Sequence, residues 1–338
     1  MKKRILFLVL VLSFISCNPV TGNKKLQLEK DKNFPLWLAI GDYHTDQTSG
    51  IAYINTDGKG FKNFLLADDT GVIHHLVLSE NSIVNIKKVS VSAEVDDYFS
   101  VFPKKDFEEI VYDKYSNSVY LSVEGNLPAP KDFTGIFRLN FAGNNIFSDS
   151  IVSVTKLDIK PAALFTKYLS ANIAYEGVSA DENYLYLGLE GFQDGKFFAD
   201  STILFIVDKV SLSIVKEINT RSLGIHTICG LYSDKNKSLY GIDRNNKKVF
   251  HILFNDSMEI IETDTLPVST NIPGYDSISY VASLESVTLD DEGNLYVVDD
   301  PWKTFFIPPQ DVLSRLDDKT AGNFKKYIPV LFKFKQIK

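Results

Sequence analysis

The chain has 338 residues, 44% of them hydrophobic, and a formal net charge of −7. That apolar content supports a sizeable buried core and excludes wholesale disorder. No basic block interrupts the body of the chain, which argues against nucleic acid as a partner, because phosphate neutralisation needs clustered Lys and Arg.

At the N-terminus, Lys2, Lys3 and Arg4 precede an apolar stretch, Ile5 to Ile15, that ends at Ser16-Cys17. A stable membrane helix needs roughly 20 apolar residues, so this stretch is too short and residues 1–16 read as a signal peptide. The small residue before Cys17 fits a bacterial lipoprotein cleavage site with Cys17 lipidated, although Phe14 stands where that box usually has leucine. A plain secretory signal with an incidental cysteine is the alternative. Residues 17–34 are polar and charged and read as a flexible tether, leaving 35–338 as the folded domain. Only Cys229 then keeps a free thiol, so an exported chain has no internal disulfide to rely on. The expected location is the bacterial cell envelope, lipid-anchored to a membrane and facing the periplasm or the cell surface.

From residue 49 onward one pattern recurs. "YEGVSADENYLYLGLEG" (Tyr175 to Gly191) reads as two short strands joined by the polar turn Asp181-Glu182-Asn183, with Glu176 before the first strand and Glu190 after the second. In an antiparallel pair those two acids lie at the same end. Further copies are "SGIAYINTDGKGFKNFLLADD" from Ser49, "FEEIVYDKYSNSVYLSVEG" from Phe107, "ICGLYSDKNKSLYGIDR" from Ile228 and "LESVTLDDEGNLYVVDD" from Leu284. The bracketing residues are 14 apart in three copies: Glu176 and Glu190, Cys229 and Asp243, Glu285 and Asp299. Five strand-rich copies at this period imply a repeat architecture: an all-β β-propeller, most simply of five four-stranded blades. Ile203 to Asp208 and Ile214 to Ile218 complete the third copy, and Val249 to Phe254 and Ile260 to Thr263 the fourth. The last copy supplies only Ile328 to Phe334, so an N-terminal strand, Pro35 to Ile40, is expected to close the ring and remove two exposed edges. A sixth, degenerate blade between residues 125 and 175 is the alternative. Helical periodicity is nearly absent outside Gln310 to Leu316.

In a propeller the first strand of each blade lines the channel. The brackets therefore make two concentric rings on one face: Ser49, Glu108, Glu176, Cys229 and Glu285 inside, and Asp69 (or Asp68), Glu124, Glu190, Asp243 and Asp299 outside. Glu108, Glu176 and Glu285 facing one axis would repel, and keeping them protonated at neutral pH would need large pKa shifts. A hard cation removes the conflict, and calcium, with six to eight oxygen ligands in loose geometry, suits such a ring. For the outer ring, solvated turn acids are the simpler reading.

The phrases "DFEEIVYD", "YEGVSADENYLYLGLE" and "ESVTLDDEGNLYVVDDP" resemble the SdiA-regulated domain family of bacterial envelope proteins and, less closely, the phytase-like (esterase-like) propellers. The resemblance covers roughly Ser49 to Lys338 and implies a five-bladed propeller with a calcium site. The sequence departs from the family's Glu-Gly pattern at Glu108-Glu109 and Glu285-Ser286, and has Ser49-Gly50 and Cys229-Gly230 in two other copies.

No nucleophile elbow, zinc helix, phosphate loop or EF-hand loop is present. His74 and His75 are adjacent on a strand and point to opposite faces, so they cannot share an ion. His226, just before the fourth copy, is a candidate base or ligand contact, with a structural role the plainer reading. Lys104-Lys105 and Lys325-Lys326 read as solvated faces. Long connections on the mouth face carry Phe133, Phe192, Phe197, Phe198, Tyr275, Trp302, Phe305 and Phe306, of which Trp302, Phe305 and Phe306 are the candidate ligand contacts. Two functions follow. One is a calcium-binding, lipid-anchored module that binds a small ligand or an envelope protein on its mouth face, with no catalysis. The other is a calcium-dependent hydrolase of phosphoesters, esters or lactones. The mouth offers Lys131, Lys196, Lys303 and Arg244 but no basic cluster for a phosphate, which favours binding.

Overall fold

The computed structural model describes residues 27–194, 197–234 and 237–337. The signal peptide and Cys17 lie outside the described residues, as do Lys196 and the side chains of Phe197 and Phe198.

Strand segments rich in Val, Ile, Leu, Phe and Tyr, separated by Asp/Asn/Gly turns, fold into consecutive four-stranded antiparallel meanders. The first comprises Thr48–Thr56, Lys62–Asp68, Val72–Leu78 and Ile83–Val91. The second comprises Asp106–Asp113, Ser118–Glu124, Gly135–Phe141 and Ser150–Lys156, so residues 125–175 supply its third and fourth strands. Its outer strand also pairs in parallel with Ile83–Val91, Ser150 opposite Ser90 and Ile151 opposite Val91, which joins these two meanders into one eight-stranded sheet. Gly177–Ala180, Tyr184–Gly188, Ile203–Asp208 and Ile214–Asn219 form the third, and Gly230–Asp234, Ser238–Asp243, Lys248–Phe254 and Ile260–Pro267 the fourth. The last sheet joins both ends of the chain: Leu284–Leu289, Leu295–Asp299, Val330–Ile337 and, outermost, Gln27–Lys30. The first strands of the five sheets touch one another in sequence order, and Leu284–Leu289 returns to Thr48–Thr56, so they form a closed, propeller-like ring.

Alternation explains how the sheets stack. Val119 and Leu121 face the first sheet, in a cluster with Ala52 and Leu65, whereas Tyr120 between them faces the third, with Leu187 and Tyr175. The same switch separates Leu185 and Leu187 from Tyr186, which packs with Leu231 and Phe250 of the fourth sheet. Each sheet is thus apolar on both faces, and five buried clusters fill the five gaps. This is the period-2 consequence of a strand buried on both sides.

Three expectations are corrected here. The closing strand is Gln27–Lys30, with Gln27 opposite Ile337 and Lys30 opposite Phe334. Within Pro35 to Ile40 only Leu36–Trp37 pairs with the C-terminal strand, off the main ladder. Residues 27–34 therefore belong to the fold and not to a tether: Leu28 packs on the core and Asp31 pairs with buried Lys333 at 3.2 Å. Helices also occur where periodicity is weak. Ala93–Ser100 is capped by Ser92, and Asp318–Lys325 by Asp317, while the expected Gln310 to Leu316 helix shortens to Gln310–Leu313. Among the described residues no helix is long and apolar enough to cross a membrane.

Candidate functional site

At the end of the channel where the inner strands begin lies a cavity of about 180 Å³ lined by fourteen residues, eight of them acidic. Glu108, Glu176 and Glu285 of the inner ring all face it, as does Ser49. Local irregularities aim these side chains. The ladder register shifts between Thr48 and Gly50, between Leu284 and Ser286, and where Glu108 and Glu109 together oppose Ser122, so Ser49, Glu285 and Glu108 each sit at a bulge. A bulge adds one residue to one strand and re-aims its side chain, here into the mouth.

The outer ring divides. Asp69, Glu124 and Glu190 line the cavity, but Asp243 and Asp299 do not. Asp243 accepts from the backbone N of His226 (3.0 Å), from Thr227 Oγ1 (3.2 Å) and from Asn246 (2.7 Å). Asp299 accepts from Tyr280 Oη (2.7 Å) and Val330 N (2.6 Å). Asp68 does the same in the first sheet, holding Thr48 Oγ1, Asp46 N and His74 Nε2 at 2.8–2.9 Å. These three aspartates tie mouth loops to strand ends, and the next residue turns into the cavity instead: Asp69, Arg244 and Asp300.

Arg244 changes the electrostatics most. Its Nη1 lies 2.6–2.7 Å from both carboxylate oxygens of Glu285, its Nη2 bonds Glu190 Oε1, and Glu176 Oε2 is 3.9 Å away. One guanidinium thus offsets the arc of the third, fourth and fifth sheets, where Glu176, Cys229 and Glu285 also come within 4.8 Å of one another. Burial pushes the Cys229 thiol up, and a neutral thiol beside a fixed guanidinium is a poor cation ligand. Across the cavity, Lys104, still exposed, bonds Asp106 (2.6 Å) and Asp69 (3.0 Å) and so lines the mouth as well as facing solvent. Asp106, Glu108 and Glu124 there present ligand oxygens within 4.8 Å of one another.

Two cations thus face eight carboxylates. Burial, reinforced by neighbouring acids, pushes Glu108 and Glu176 well above the usual carboxylate range and Glu124 up to about 9. Three buried oxygens lining this cavity have no hydrogen-bond partner among the described residues: Asp69 Oδ1, Glu176 Oε2 and Asp300 Oδ1. Unpartnered buried carboxylate oxygens are costly, and a cation, whether a metal ion or a group with N–H donors, would satisfy them. Of the acids here, the Asp106, Glu108 and Glu124 oxygens have the spacing that would suit calcium, which tolerates many oxygens in irregular array, better than magnesium with its strict octahedron.

Beneath the mouth the channel is closed. The residues after the five inner-ring positions are Gly50, Glu109, Gly177, Gly230 and Ser286. A Cβ on Gly50 would lie 2.6 Å from Ile110 N, and one on Gly230 2.5 Å from Ser286 Cα, so the inner strands approach too closely for any side chain there. Glu109, 1% exposed, spans the resulting space. It accepts from Ser286 Oγ (2.6 Å), Ile110 N (3.1 Å) and Leu231 N (3.4 Å), and Ser286 Oγ in turn accepts from Ile51 N (3.1 Å). The departures from Glu-Gly at residues 109 and 286 are thus two halves of one contact. Below it a smaller cavity, about 50 Å³, opens toward the opposite face among Tyr53, Tyr232 and Lys114.

Of the aromatic candidates, Trp302 lines the mouth cavity. Phe305 and Phe306 do not; they pack on each other at 4.1 Å, with Phe305 exposed. His226 is half-buried, and only its backbone N is tied to the mouth network, through Asp243. His74 is buried between Asp68 and Tyr43, while His75 contacts Ser148, in keeping with their opposite faces. The sequence pattern does not single out Asp106, Lys104 or Asp300 as mouth residues, and Arg244 reads there only as a basic residue. The one available signal was the acid-then-charged dipeptide ending the second strand: Asp68-Asp69, Asp243-Arg244, Asp299-Asp300.

No protein-family model matches the sequence, and no curated protein is significantly similar to it. Among solved structures, the chain is similar to the PQQ-bound aldose sugar dehydrogenase of Streptomyces coelicolor, at 10% identity over 93% of this chain and 99% of that one, with a TM-score of 0.48. A putative oxidoreductase (glucose dehydrogenase) of Thermus thermophilus is 10% identical over 92% and 100% of the two chains, with a TM-score of 0.43. A catalytically inactive virginiamycin B lyase of Staphylococcus aureus is 10% identical over 81% of each, with a TM-score of 0.38. All three scores are low, and the propeller-like description stands on the sheets and their closed ring.

Proposed function

We propose that this chain is a five-bladed propeller of the bacterial envelope that binds calcium in its carboxylate-lined mouth and captures a ligand or partner protein there without catalysis. The observation that carries the reading is the triad Asp106, Glu108 and Glu124, with ligand oxygens within 4.8 Å of one another in a cavity whose acids outnumber its cations. The resemblance of "DFEEIVYD" and its companions to the SdiA-regulated domain family implies the same ion. Both cations lining the cavity are already engaged, Lys104 with Asp69 and Asp106, Arg244 with Glu190 and Glu285. Neither is free for a phosphate, which favours capture over phosphoester hydrolysis.

Calcium should raise the melting temperature against a chelator control, by roughly 2.7 kcal/mol of stabilisation at a hundredfold excess over the dissociation constant. Glu108→Gln should remove most of that shift. Identical melting of the wild type in calcium and in chelator would overturn the metal reading. Envelope anchoring rests on the basic, apolar and Ser16-Cys17 sequence, with Cys17 as the lipidated residue. Intact mass of the membrane-extracted protein checks it: an acylated chain starting at Cys17 is expected, and an unacylated soluble one refutes it.

A further inference from the structure

We propose that the mouth cavity holds a second subsite, distinct from the Asp106–Glu108–Glu124 triad, that takes the positively charged amine of an organic ligand between Asp300, Asp69 and the Trp302 ring. The proposal deepens the capture reading above and rests on it. Asp300 is 5% exposed, lines the cavity, and its Oδ1 has no hydrogen-bond partner among the described residues. Asp69 is in the same condition at Oδ1, while its Oδ2 accepts from Lys104 at 3.0 Å.

The chemistry of the missing partner follows from what these oxygens lack. Among the described residues neither Asp300 nor Asp69 joins any group of three ligand atoms within 4.8 Å of one another, whereas the two glutamate arcs do. An isolated oxygen from each of two carboxylates is a poor calcium cage, since calcium gathers six to eight oxygens. It suits an ammonium or guanidinium, which brings its own divergent N–H donors and needs only one acceptor for each. Trp302 supplies the third wall. The indole face attracts cations; Lys303 Nζ, 3.2 Å from the Trp302 ring centroid, covers one face, so an incoming amine takes the other or displaces it. Room is sufficient: the cavity is about 180 Å³, against about 30 Å³ for one water in the liquid. The ligand class is therefore a small organic amine, or the lysine- or arginine-bearing end of a peptide.

Calorimetric titration tests this, using the intact protein in calcium and again in chelator. Cadaverine and arginine methyl ester are the probes, and butanol is the neutral match. Saturable binding of the cationic probes, and none of butanol, is expected. Asp300→Asn should weaken it roughly ten- to a hundredfold, the range for losing a charged hydrogen bond, while leaving the calcium-induced melting shift intact. Trp302→Ala should weaken it by a smaller factor, and Glu108→Gln should remove the calcium shift but spare the amine. Absence of saturable heat with either cationic probe overturns the subsite, as does unchanged binding in Asp300→Asn. One-for-one competition between amine and calcium overturns it too, because the aspartates would then be metal ligands. Failure of the calcium reading shows separately, as a missing melting shift beside normal amine binding.

Discussion

Glu124 shows what the mouth does to a single carboxylate. Burial lifts its pKa to about 9, Asp106 and Glu190 add to the lift, and Lys104 opposes it. Burial likewise lifts Asp299 to about 7, despite the bonds from Tyr280 and Val330, and Asp69 to about 6, against the pull of Lys104. A carboxyl with a higher pKa folded than unfolded holds its proton more tightly in the native state. Stability is then lost as pH rises from the unfolded value to the folded one. For Glu124 that interval runs from 4.5 to about 9. Chelator-treated protein should therefore melt highest near about pH 5 and progressively lower toward about pH 9. Glu124→Gln should flatten the upper part of that profile. Melting temperatures measured across the interval check the sign, and a chelated wild type that gains stability with pH would contradict it.

Gln27–Lys30 carries the element-scale lesson. Its sequence, Gln-Leu-Glu-Lys, is polar enough to pass for a tether, and Leu28 is its one apolar contact with the core. What fixes it as a strand is the partner, the edge of Val330–Ile337, which no local pattern reveals. The hairpins were legible because both faces of each strand are buried, so apolar runs bounded by turn residues mark them. The bulges were not, since a one-residue slip leaves no compositional trace, yet it is what aims Ser49, Glu108 and Glu285. Asp243 and Asp299 are each one residue short of the cavity, which the residue after them, Arg244 or Asp300, enters instead. A chain starting at Gln27 keeps every described N-terminal residue. One starting at Phe34 loses Asp31 and leaves Lys333, itself 5% exposed, without its 3.2 Å partner. Breaking a buried pair on one side costs about 3–5 kcal/mol, and the lost strand pairing and Leu28 packing add to it. Denaturant unfolding of the two truncations should therefore differ by at least about that amount, and equal midpoints would reject the account.

At the scale of the whole molecule, recurrence did what no motif could. Five copies in register place Glu108, Glu176 and Glu285 on one face from the sequence alone, because a ring repeats its geometry as the sequence repeats its spacing. Recurrence was silent on Arg244, which occurs in one copy only and engages the Glu190–Glu285 side of the mouth. It was silent too on Glu109, whose meaning lies in Gly50, Gly230 and Ser286 contributed by other sheets. That glutamate gives the molecule a floor. A solute admitted at the acidic rim has no exit on the far side and must leave against whatever is waiting to enter, so the interior behaves as a cul-de-sac. Arrival and departure then share one doorway, and anything that covers the rim, a partner protein included, would lengthen the stay of what is already inside.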